Sequence, residues 1–191
     1  MKSKNFYTFL MFFAVLLISL IPYHNLIGRG YSDSDDFNEI YRAIVEDIPR
    51  PSDIFLTPHQ GDRYRPINRL LNDLTVYLGD NKPVYFIFRN IALHSISILL
   101  VFLIIGLITK NPIISSIGAL LFALHPGNVN AVSVLIFTHT FGTSLILLVV
   151  LLISIIELGV VKRHQTFFLS LSLLLLLITT FSNEMFAWTI P

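Results

Sequence analysis

Five apolar runs constrain this chain more than any other feature. They cover residues 6–21, 83–109, 112–124, 131–158 and 166–181. A helix needs about 20 apolar residues to cross a hydrocarbon core of about 30 Å. The third run is short and must borrow from its flanks. The second and fourth are long, so each tilts or projects beyond the lipid. Composition agrees: 54% of residues are hydrophobic and 13% charged, with a mean hydropathy of +0.72, which is the membrane class. The expected fold is all-α: a polytopic integral membrane protein with about five transmembrane helices.

Several functions drop out on composition. A net charge of +1 supplies no basic face that could neutralise phosphates in series, so no nucleic-acid partner is expected. The absence of cysteine removes disulfides, thiol catalysis and cysteine-based metal sites. No P-loop, nucleophile-elbow or zincin pattern occurs, so ATP-driven transport, serine hydrolysis and zinc proteolysis have no motif behind them.

Lysine and arginine set the expected orientation. Lys2 and Lys4 precede the first run, Lys110 lies between the second and third, and Lys162 and Arg163 lie between the fourth and fifth. The turn at 125–130 and the stretch 182–184 carry none. This predicts a cytoplasmic N-terminus, with loop 23–82, the His125 turn and Glu184 extracytoplasmic. The basic start of the first run also fits a signal peptide. Tyr23-His24-Asn25, however, does not resemble a small-residue cleavage site, so an uncleaved helix is expected.

Loop 23–82 holds ten of the twelve acidic residues. Phe37, Ile40, Tyr41, Ile44 and Val45 form a helical stripe over 35–47, started by a Ser34 or Asp35 cap and ended by Pro49 and Pro51. A second helix is expected to begin at Pro66, a favourable first position, and to end at Gly79. Its stripe is Ile67, Leu70, Leu71, Leu74 and Leu78. Both are expected to be juxtamembrane helices, lying on the bilayer or on the top of the bundle. Asp35 and Asp36 fit two roles. They can cap a helix and complement its dipole, or they can take a proton from a reacting hydroxyl. Arg63 and Arg65 either solvate the loop or hold an anionic phosphate in a planar fork.

Polar groups inside the apolar runs are few and costly. Arg89 can snorkel to the interface. Asn90 and His94, four apart, share a helix face and are expected to point at protein, where interhelical hydrogen bonding is their simplest role. His139 fits a buried hydrogen-bonding histidine. His125-Pro126-Gly127-Asn128 marks a turn from which a helix starts. Glu184 is either solvated or paired with a loop arginine. The scattered histidines make no metal motif, so no cofactor is expected; a divalent ion at Asp35 and Asp36 stays open.

Taken in order, several segments form a familiar series. They are Asp35-Asp36, Arg65-Pro66-Ile67, Phe88-Arg-Asn-Ile-Ala-Leu-His94, Ala119-Leu-Leu-Phe-Ala-Leu-His-Pro126 and Phe181-Ser-Asn-Glu184. The series resembles the N-terminal part of the GT-C membrane glycosyltransferases. It is most similar to the O-mannosyltransferase-like members that carry tetratricopeptide repeats. The resemblance implies a catalytic first outer loop and a polyprenyl-phosphate-linked sugar as donor. It also implies a protein or glycan acceptor. Asp35 would be the base and Asp36 its neighbour; Arg65, His94, His125 and Glu184 would line or brace the site. The chain departs from the pattern at Asn130, Thr138, Thr140 and Asn183, where the family carries charge. Since such proteins have further spans, this chain is expected to be an N-terminal part or a truncated product.

The function expected is glycosyl transfer from a lipid-phosphate donor on the outer face. A non-catalytic membrane scaffold or assembly subunit of the same fold is the alternative, which the missing charges favour. A transporter or flippase would place polar groups at mid-bilayer depth, whereas here they cluster at the rim.

Overall fold

The computed structural model describes residues 2–26, 28, 30–31, 41, 54, 65–134, 139–160 and 164–182. Along them run α1 (Lys2–Leu20), a 3-10 turn at Ile21–Tyr23, α2 (Pro66–Gly79), α3 (Pro83–Thr109), α4 (Pro112–Ala123), α5 (Pro126–Ser133), α6 (His139–Glu157) and α7 (Gln165–Ser182). No strand occurs among the described residues. The helix expected over 35–47 lies outside them, apart from Tyr41, which is exposed.

Proline sets where α2, α3, α4 and α5 begin. Its fixed φ suits the first helical position, where its missing N–H is not needed. Two of these starts are also capped. The Asn111 Oδ1 accepts from the N–H of Ile113 (2.9 Å) and Ile114 (3.4 Å), and the His125 Nδ1 accepts from Gly127 N–H at 3.2 Å. The α2–α3 turn is made by two successive left-handed residues, Asp80 (φ 49°) and Asn81 (φ 59°), the residue types that tolerate that region best after glycine. Gly79 packs tightly there: a Cβ on it would stand 2.8 Å from the Cβ of Tyr85.

Helices α1 (with its 3-10 extension), α3, α6 and α7 are each long and apolar enough to cross a membrane. The protein is therefore a multi-pass, all-α membrane protein. The third apolar run forms a short helix; the fourth differs from expectation. Helix α4 has only 12 residues, about 18 Å, and bends by 54° into α5. The run 131–158 is not one helix, because α5 ends at Ser133 and α6 begins at His139.

Side-chain pairs fix the helix directions. Tyr23 meets His94 and Phe12 meets Phe102, so α1 runs antiparallel to α3. Ser144 accompanies Ser97, while Ile155 and Gly106 share a groove further on, so α6 runs parallel to α3. Helix α7 packs on α2. Close approach relies on small residues, as expected where lipid removes the hydrophobic drive between helices. Ser97 Oγ and Ser144 Oγ are 2.8 Å apart, and Ser144 Oγ also donates to the Leu93 carbonyl at 3.0 Å. Gly118 faces the tip of the Ile105 side chain across the α3–α4 contact. Two apolar clusters fill the interior. One holds Val15, Ile98, Phe102, Ala119 and Ala123 at mid-depth. The other holds Tyr23, Leu26, Val76, Phe86, Ile87 and Val132 at the end where α2 docks.

Candidate functional site

The polar chemistry of the described residues gathers at that α2 end. Arg89 is its hub. Its guanidinium donates to Asn72 Oδ1 (2.8 Å), Thr75 Oγ1 (3.0 Å) and the Leu71 carbonyl (3.4 Å) on α2. It also donates through Nε and a terminal nitrogen to Asn90 Oδ1, both at 3.2 Å, and lies 5.0 Å from the Phe86 ring centroid. Asn90, fully buried at 0% exposure, passes the network on. Its Nδ2 donates to the carbonyls of Val132 (3.3 Å) and Val134 (3.1 Å). These are the orphan carbonyls at the C-terminus of α5. One arginine thus ties the outer helix α2 to α3, and through Asn90 to the α5 terminus.

Helix α2 docks with its polar face inward. Arg69, Asn72, Val76 and Gly79 are buried, while Leu70, Leu74, Tyr77 and Leu78 are exposed. Arg69 faces Asp73 one turn on, at 3.8 Å. The leucine stripe therefore points away from the bundle. Of the two placements open to this helix, only the apolar face is left for lipid.

His94 sits behind this helix, 3% exposed. Its ring meets Tyr23 edge-on at 5.7 Å and stacks on Phe122 at 5.9 Å, and it has a hydrogen bond with the Ala123 backbone. Among the described residues its Nε2 has no hydrogen-bond partner, nor do the buried Tyr23 hydroxyl and the Thr140 Oγ1. Each such orphan costs about 1–3 kcal/mol.

The expected site residues divide unevenly. His94 is buried in the interior, as a protein-facing role requires. His125 borders the same Phe122, to whose carbonyl its N–H donates at 3.3 Å, but its imidazole is exposed and occupied in capping α5. Arg65 is the half-buried residue preceding α2, with no side-chain cap bond. Asp35, Asp36, Arg63 and Glu184 lie outside the described residues. Of the positions that depart from the resembled pattern, Asn130 is exposed and Thr140 buried. Among the described residues no three His, Asp or Glu side chains group to hold a metal.

Sequence reasoning missed the Arg89–Asn72–Thr75 clamp and the Tyr23–His94 contact. Only one signal was available. Asn68, Asn72 and Thr75 make a neutral polar face at helical spacing on α2, and the Asn72 amide donates to Asn68 Oδ1 at 3.2 Å. A solvated face looks the same in sequence.

Comparison with protein-family profiles, with curated proteins and with solved structures yields no match.

Proposed function

We propose that this chain is the membrane part of a GT-C-type glycosyltransferase. It moves a sugar from a polyprenyl-phosphate donor to a protein or glycan acceptor on the extracytoplasmic face, where the α2 end lies. The acceptor hydroxyl oxygen attacks the anomeric carbon. Its proton passes to Asp35, the bond from sugar to phosphate breaks, and prenyl phosphate leaves as a stable anion. Asp36 flanks the base, Arg63 and Arg65 take the phosphate charge, and His94, His125 and Glu184 line or brace the pocket. The reading needs no cofactor, although the two aspartates could take a divalent ion.

The observation that carries this reading is the buried His94, whose Nε2 has no hydrogen-bond partner among the described residues, at the end where the chain leaves at Tyr31 and returns at Arg65. The Tyr31 hydroxyl donates to the Asn81 carbonyl at 2.6 Å, and its ring meets Phe86 at 6.5 Å. Arg65 leads straight into α2. Four peptide units join Tyr31 to Asp35, a reach of at most about 14 Å. Lys2 and Lys4 lie at the start of α1 and Lys110 at the end of α3; by the positive-inside rule we take that end as cytoplasmic.

The test is transfer of labelled sugar from a polyprenyl-phosphate donor by membranes containing the full chain. Asp35→Asn and His94→Ala are expected to abolish transfer at unchanged protein level. Unaltered turnover in Asp35→Asn would leave the scaffold reading, which the neutral Asn130 and Thr140 favour.

A further inference from the structure

A groove of about 550 Å³ opens at the end of the bundle opposite His94. Its walls are Leu103 and Leu107 of α3 and Leu151 and Ile155 of α6, closed by Thr8 of α1 and Ser115 of α4. Gly106 forms part of its floor, where a Cβ would stand 3.2 Å from Ser115 Oγ. The volume is that of a small-molecule cleft. Three of the lining helices are long and apolar enough to span a membrane, and the walls are apolar side chains, a lining suited to hydrocarbon.

Its mouth has the opposite character. Lys110 stands there in a left-handed conformation (φ 53°), ending α3 and turning the chain into α4. The lysine is exposed and makes no ion pair among the described residues. Phe102, at the far end of the groove on α3, lies eight residues before Lys110, about 12 Å along the helix. One leaflet contributes about 15 Å of hydrocarbon. The groove thus has the depth of a leaflet, with an ammonium at headgroup level.

We propose that this groove seats one acyl chain of an anionic glycerophospholipid from the adjoining leaflet, with the lipid phosphate paired to Lys110. The site is distinct from the proposed donor site, since Lys110 and His94 stand at opposite ends of the bundle. It does not depend on the glycosyltransferase reading. Apolar walls give affinity for any acyl chain; Lys110 gives the preference for negative charge. A single basic residue near a bilayer surface corresponds to about a fivefold preference for an anionic headgroup.

Native mass spectrometry of the full chain, released from micelles doped with phosphatidylglycerol or phosphatidylcholine of identical chains, tests this. One phosphatidylglycerol adduct is expected to be retained about fivefold over phosphatidylcholine. Lys110→Gln should equalise the two lipids. Leu103→Trp, at a 43% exposed position on the groove wall, should remove the retained adduct of both without unfolding the bundle, checked by circular dichroism. Equal retention of the two lipids by the unmodified chain would overturn the proposal. So would an adduct that survives both substitutions, which is diffuse annular lipid, or a dimer mass lost on Leu103→Trp, which is a second copy in the groove.

Discussion

Replacing Arg89 by Met tests the clamp that holds the outer helix. The change keeps an unbranched apolar stem over Phe86 but removes every donor. Asn72 Oδ1 and Asn90 Oδ1, on residues 3% and 0% exposed, then lose the guanidinium. A buried acceptor left unpaired costs about 1–3 kcal/mol, and the Thr75 and Leu71 bonds to Arg89 go as well. Methionine regains part of the packing, so a net loss of about 2–4 kcal/mol is expected. The loss falls on the docking of α2 rather than on the whole bundle. The Ser97–Ser144 contact between α3 and α6 lies two turns further along α3 and does not involve Arg89. Amide hydrogen exchange of the protein in bicelles separates the two. Exchange across 66–79 should accelerate by roughly two orders of magnitude, with α3 and α6 unchanged around Ser97 and Ser144. Arg89→Lys, a point charge without the planar fork, should fall between. A double-mutant cycle with Asn72→Ala should give a coupling of about 0.5–3 kcal/mol. If exchange in 66–79 changes less than threefold in Arg89→Met, Arg89 is only a snorkelling side chain and the clamp is refuted.

Three further outcomes are expected. Gly79→Ala puts a methyl 2.8 Å from the Tyr85 Cβ, which cannot swing aside, and should lower stability by about 1–3 kcal/mol; Gly118→Ala meets only the mobile tip of Ile105 and should cost under about 1 kcal/mol by the same thermal unfolding measurement. Asn111→Ala removes the cap of α4 and should cost about 1 kcal/mol, read as faster exchange at Ile113 and Ile114. Because the chain has no cysteine, single cysteines at Asp80 and Lys110 can be labelled cleanly in intact cells; an impermeant maleimide should reach Asp80→Cys and not Lys110→Cys, and the reverse result would invert the orientation proposed.

What could be read from the sequence was punctuation. Pro66 and Gly79 bound α2, and Pro83 opens α3, because proline and glycine act locally and need no tertiary partner. The break near Val134 was hidden for the opposite reason. The residues around it, Val132, Val134, Leu135, Ile136 and Phe137 among them, are mostly apolar, so averaged hydropathy bridges the break. The structure ends α5 at Ser133 with Val134 extended (φ −86°, ψ 114°), and the released carbonyls of Val132 and Val134 go to Asn90. That bond spans more than forty residues, and no local pattern announces it. Arg89 is a similar case: its position near the end of a span fits snorkelling, and only the docking of α2 shows which acceptors it serves. The face shared by Asn90 and His94 was legible from four-residue spacing, and both are buried as expected. The partner of each was not, since Tyr23 and the α5 carbonyls come from distant segments.

The inverted polarity of α2 decides where that helix lies. Its outward face carries Leu70, Leu74, Tyr77 and Leu78, all exposed. In water, rotating the helix by half a turn would bury these four at about 1.5–3 kcal/mol for each full burial, of which the exposed fractions, 40% for Leu70, 47% for Leu74, 70% for Tyr77 and 67% for Leu78, are still to be gained. That drive, several kcal/mol, rivals or exceeds the 2–4 kcal/mol assigned to the Arg89 clamp. In aqueous surroundings the observed orientation would therefore be the wrong one. With hydrocarbon against the leucines the comparison reverses, because burying them against protein gains nothing over lipid, while exposing Arg69, Asn72 and Asp73 to lipid is costly. The inward polar face is stable only if α2 lies within the bilayer interface. Arg65, the residue preceding α2, then lies at headgroup depth, the level at which the proposed donor phosphate would be met.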